Sequence, residues 1–137
     1  MLTTVSFACI PAVAANTCSA KDADSAQTAV EGIESWPRLA QVHQRFAQCD
    51  VGYIAEGNSE AVARLLVDRW EDLSTLNAMG AKQPGFMAFV LRHIDSTLDT
   101  GDLEQIVRRA SSRCLPNNQK LCARLQVAAK RALASPN

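Results

Sequence analysis

The sequence predicts an all-α fold, a compact bundle of five to six antiparallel helices arranged as stacked hairpins and stapled by two disulfides. Three observations carry this expectation. Apolar residues recur at three- and four-residue intervals along most of the chain, and no long alternating run marks a strand. Gly, Pro and Asn interrupt the pattern at short intervals, so the connections are short and neighbouring helices run antiparallel. The third is the cysteine count, which becomes even once an N-terminal leader is set aside.

That leader is residues 1–15. The first twenty residues, MLTTVSFACIPAVAANTCSA, contain no Lys, Arg, Asp or Glu. The apolar run from Val5 to Ala15 falls well short of the ~20 residues that span a bilayer. It ends in Ala12-Val13-Ala14-Ala15, the small residues a signal peptidase accepts, although no basic residues precede it. We read it as a signal peptide followed by a single helical domain, residues 16–137, with no transmembrane segment in the mature chain. The expected compartment is periplasmic or secreted.

The helices follow in order. Residues 25–35, SAQTAVEGIES, form a first helix weakened by Gly32 and stopped at Trp36-Pro37. Pro37 suits the first turn of a second helix, with Leu39, Val42, Phe46 and Cys49 on one face. DVGYIAEGNS, residues 50–59, holds two glycines and reads as a loop or a single turn. Ser59 then caps a third helix carrying Val62, Leu65, Leu66, Trp70 and Leu73, extended by Leu76 and Met79 after a break at Ser74. Pro84 opens a fourth helix, with Phe86, Phe89, Val90, Ile94 and Leu98 facing inward. The fifth presents Leu103, Ile106, Val107 and Ala110, and the sixth, from Gln119 to Ala134, Leu121, Leu125, Ala128 and Ala129.

Cleavage near Ala15 removes Cys9 and leaves Cys18, Cys49, Cys114 and Cys122. Cys114 and Cys122 flank Pro116-Asn117-Asn118, a turn between two antiparallel helices, with Asn118 placed to cap the second. Their spacing matches neither a redox Cys-x-x-Cys nor a zinc pattern, whereas a hairpin brings them within the ~5.5 Å that a disulfide spans. Cys18 pairs with Cys49 by elimination.

Chemistry-bearing patterns are sparse. No nucleophile elbow, HExxH or glycine-rich phosphate loop occurs. His43 and His93 each admit a general-base reading and an ordinary boundary-residue reading, and neither has a second catalytic group nearby in sequence. We therefore expect no catalytic residue, no metal and no cofactor. Asp50, Glu56 and Glu60 lack calcium-loop spacing and read as solvated carboxylates. Tyr53 and Ile54, with Glu56 beside them, either form a contact surface or plug the end of the bundle.

Net charge is zero, but it is unevenly placed. Residues 21–100 hold seven Lys/Arg against twelve Asp/Glu, and residues 101–137 hold seven against two. A zero total disfavours nucleic acid as a partner. The basic last hairpin, Arg124 and Arg131 included, either packs beside the acidic part of its own chain or meets an anionic partner.

These features favour an exported binding or inhibitory module with a protein partner in the cell envelope; homo-oligomers are compatible with it. The alternatives are a carrier of a small apolar ligand and an enzyme using His43 or His93 with a loop carboxylate. In size, helices and cysteines the chain resembles the small exported helical immunity proteins that neutralise cell-wall-degrading effectors. The resemblance implies an inhibitory role.

Overall fold

A computed structural model describes residues 17–135 together with Ser6 and Ala8. The expected signal peptide otherwise lies outside the described residues, as does Cys9. The described part is all-α: seven α-helices, two 3-10 turns and no strand. Its buried apolar side chains form a core from Ala26 to Ala132, to which every helix contributes.

Helix α1 spans Ala20–Glu31. It starts five residues before the periodicity suggested, because Ser19 caps it: the Ser19 hydroxyl accepts from the Asp22 N–H at 3.0 Å. Gly32 closes α1, and Ile33 is fully buried just beyond it. Helix α2, Trp36–Phe46, begins at Trp36 itself, capped by Ser35 with Pro37 in its first turn. Leu39, Val42 and Phe46 face the core, and a 3-10 turn, Ala47–Cys49, buries Cys49.

The loop expected at residues 50–59 is instead the start of a long helix, α3, Gly52–Asp68. Its two glycines have specific uses. Gly52 enters the helix at φ +56°, a conformation that costs a residue with a Cβ. Gly57 lets α3 close on α1, since a Cβ there would lie 2.8 Å from Val30 Cγ1.

Another correction concerns the next break, which falls at Arg69, not Ser74. The Trp70 indole N–H donates to the Arg113 carbonyl at 2.8 Å, which draws a 3-10 turn, Trp70–Asp72, towards the end of a later helix. The expected third helix is therefore two, with α4 at Leu73–Lys82. Helix α5, Pro84–Arg92, stops short of Leu98, and the turn after it buries His93, Ile94 and Leu98.

Helix α6, Thr100–Ser112, is capped by Asp99, whose Oδ1 accepts from the Gly101 N–H at 2.8 Å. It makes a hairpin with α7, Gln119–Ala134. Asn118 occupies the N-cap position of α7 without capping it. Its amide donates instead to Ser74 Oγ at 3.0 Å and the Pro116 carbonyl at 3.1 Å, bracing the hairpin turn against α4.

Both disulfides form as paired. Cys114–Cys122 closes the α6–α7 turn with Cα atoms 6.0 Å apart, and Cys18–Cys49 ties the segment before α1 to the 3-10 turn after α2 at 4.9 Å. No helix among the described residues is long and apolar enough to cross a membrane.

Candidate functional site

The densest polar cluster lies where three segments meet. Asp50 follows the 3-10 turn that the Cys18–Cys49 bridge holds in place. Asn58 and Ser59 come from the second turn of α3, and His93 and Asp95 from the turn after α5. Ser59 and His93 are buried at 1% and 4% exposure, and the Asp50 side chain keeps 11%.

His93 is the hub. Its Nδ1 lies 2.8 Å from Ser59 Oγ and its Nε2 2.8 Å from Asp50 Oδ2. Ser59 Oγ is also 2.6 Å from Asp95 Oδ2, and the Asn58 amide donates to Asp50 Oδ1 at 2.9 Å. Arg92 reaches Asp50 Oδ2 at 3.4 Å from the surface.

Counting protons assigns the roles. Ser59 has one proton and the Asp95 carboxylate has none, so the hydroxyl donates to Asp95; the Ala55 carbonyl, at 3.2 Å, is the longer alternative. His93 thereby links two carboxylates, Asp50 directly and Asp95 through the Ser59 hydroxyl, with the donor and acceptor roles of its ring nitrogens set by its tautomer.

The residue types are those of a Ser-His-Asp triad, but their arrangement differs. A nucleophilic serine needs an exposed oxygen and a base that takes its proton. Here the oxygen is buried, and its proton points to a carboxylate. The arrangement binds the α2 end, α3 and the α5 end together.

Around this hub, Phe89 stacks on His43 at 4.0 Å between centroids and tilts against His93 at 4.5 Å. Burial pushes the His43 pKa below its ordinary 6.5; Asp50 pulls the other way, and Arg92 and His93 add to the lowering. For Asp50, burial acts upward. The hydrogen bonds from Asn58, His93 and Arg92 and the attraction of His93 outweigh it and hold the carboxyl below its ordinary 3.8.

Both shifts favour the deprotonated form in the fold, so both contribute stability that acid removes. The His43 share is present above pH 6.5 and is lost as pH falls through the lowered value; the Asp50 share is lost only below 3.8. Thermal unfolding should therefore occur at lower temperature at pH 5 than at pH 7. His43→Phe, which keeps a ring against Phe89 and removes the unpartnered buried Nδ1, should flatten this difference. An unchanged slope would assign the acid sensitivity elsewhere.

The expected contact residues separate. Tyr53 is 57% exposed and Glu56 is exposed beside it, but Ile54 is 4% exposed and packs in the core. Helical spacing turns Ile54 inward, so the exposed Tyr53–Ile54 pair that a loop would have offered does not exist. Glu60 is also exposed, whereas Asp50 turns inward to His93. Arg124 and Arg131 lie on the outer face of α7 and line a groove of about 450 Å³ between α5 and α7. Tyr53 and Glu56 do not line that groove.

A second, more polar groove of about 740 Å³ runs between α1 and α2, bordered by Asp24, Arg38 and Arg45. Trp36, Phe89, Leu65, Leu66 and Leu125 fill the interior that a carrier would need to leave open. Among the described residues no group of three or more His, Cys, Asp or Glu is placed to hold a metal.

Sequence reasoning missed Ser59, Asn58 and Asp95 as members of the cluster. The available signal was His93-x-Asp95 beside a helix end, too common to stand out. No known family model, curated protein or solved structure matches the chain.

Proposed function

We propose that this chain is an exported helical binding module that inhibits a protein partner through a surface contact. The observation that carries the reading is the basic hairpin. None of Arg108, Arg109, Arg113, Lys120, Arg124, Lys130 and Arg131 takes part in an ion pair among the described residues, where Asp50 with Arg92 and with His93 accounts for the ion pairs present. Seven cations on one disulfide-closed hairpin, left without carboxylate partners among the described residues, offer positive charge to a negative partner. Two disulfides accord with an oxidising compartment. The resemblance to immunity proteins suggests a cell-wall-degrading effector as the partner.

The test uses tagged chain expressed in its own host. N-terminal sequencing should place the mature start near Ala15 or Asn16, and envelope extract should yield a partner whose enzymatic activity the chain suppresses. His43→Ala should leave that suppression within a few-fold. Turnover of a substrate by the chain itself, abolished by Ser59→Ala in a protein that still folds, would replace this reading with an enzyme built on Ser59, His93 and Asp50.

A further inference from the structure

We propose that the groove between α5 and α7 seats an amphipathic helix of the partner, one with acidic residues spaced two turns apart beside its apolar face. The inference rests on the binding-module reading above and specifies which surface is used and what it recognises. The floor of the groove is apolar and of low relief: Leu91 from α5, with Ala123 and Ala128 from α7. Val127 rises from it 55% exposed, a β-branched apolar side chain projecting into solvent. Three guanidinium groups rim the floor. The guanidinium groups of Arg124 and Arg131 make no hydrogen bond or ion pair among the described residues, and Arg92 keeps 62% of its side chain exposed despite its contact with Asp50.

The spacing selects the occupant. Arg124, Val127, Ala128 and Arg131 sit at i, i+3, i+4 and i+7, so they share one face of α7. The two arginines are then about 10.5 Å apart along the axis. Two carboxylates two turns apart on a partner helix match that spacing, each offering the paired oxygens that a guanidinium fork fits. Between them an apolar stripe would cover Val127 and the alanines, the usual helix-in-groove arrangement.

The probe is a fluorescent synthetic peptide of about fifteen residues, long enough to hold helix on binding, with Leu and Ala on one face and Glu two turns apart. One control peptide carries Lys in place of Glu, and another is scrambled to break the apolar face. Anisotropy should show binding of the acidic peptide that weakens with salt and no binding of the Lys peptide. Arg124→Glu with Arg131→Glu should lower affinity by about tenfold or more, and Val127→Glu should do likewise. These side chains are exposed, and circular dichroism of the variants checks that the fold is retained.

Equal binding of the scrambled peptide, or binding indifferent to both variants, would overturn the proposal. So would arginine-dependent binding to phosphatidylglycerol vesicles without peptide binding, which would make the occupant a lipid surface. Arginine-dependent self-association without peptide binding would make it a second copy of the chain. A partner from envelope extract held equally by wild type and the arginine variants would leave the module reading standing and reject this groove. Failure to capture any partner, with no peptide bound, would reject both.

Discussion

Replacing Cys18 and Cys49 together by serine should lower the unfolding free energy by about 3.7 kcal/mol, the loop-entropy value for a closed ring of this length. The bridge joins positions 31 residues apart, and without it the unfolded chain regains the freedom of that whole segment. Cys49 is fully buried, and the residue after it is Asp50, hydrogen-bonded to His93, so the loss should extend beyond the segment before α1 to the polar cluster. The Cys114–Cys122 bridge closes only eight residues and should contribute about 2.5 kcal/mol by the same reasoning. Urea unfolding of the two double variants, compared with wild type, gives both values. Losses in the reverse order would show that native-state contacts, not loop length, govern the two bridges.

His93→Ala should cost about 3 kcal/mol, since it leaves two largely buried polar groups short of a partner at about 1–3 kcal/mol each. The change leaves Asp50 with the Asn58 amide and a surface arginine, and leaves Ser59 Oγ without the imidazole nitrogen beside it. Ser59→Ala removes a relay that holds one carboxylate and should cost about 1–2 kcal/mol. The cluster acts as a unit only if these losses are coupled. A double-mutant cycle between His93 and Asp50 should therefore return a clearly non-zero interaction energy. A His93→Ala loss under about 1 kcal/mol would mean the cluster is solvated in solution and the bonds contribute little.

What could be read from the sequence was local. The period of Leu39, Val42 and Phe46 identifies a helix without reference to anything else in the chain, and a separation of eight positions between Cys114 and Cys122 across a Pro-Asn-Asn turn identifies a staple. A charge count locates an excess of Lys and Arg on the last hairpin but does not say whether it pairs within the chain. The α3 start was misread because a glycine has no side chain to reveal its purpose: Gly57 is in the helix for the sake of Val30, a residue on another element. The break at Arg69 depends on Trp70 finding a carbonyl 43 residues later, and no window along the chain contains both. The same holds for His93, whose partners Ser59 and Asp50 precede it by 34 and 43 residues. Local periodicity reported its helix; only the packed core brings its partners together.

The close approach of α3 to α1 also bears on how such a chain can vary by descent. Val30 occupies the space that a methyl group at position 57 would need, so the two sites share one small allotment of volume. A lineage that acquires alanine at 57 must shift a helix or lose bulk at 30, and overpacking left uncorrected costs about 1–3 kcal/mol. Gly57→Ala and Val30→Ala should each be tolerated better in the company of the other than alone. Two positions 27 apart in the chain are thereby constrained to change as a pair through the volume they share.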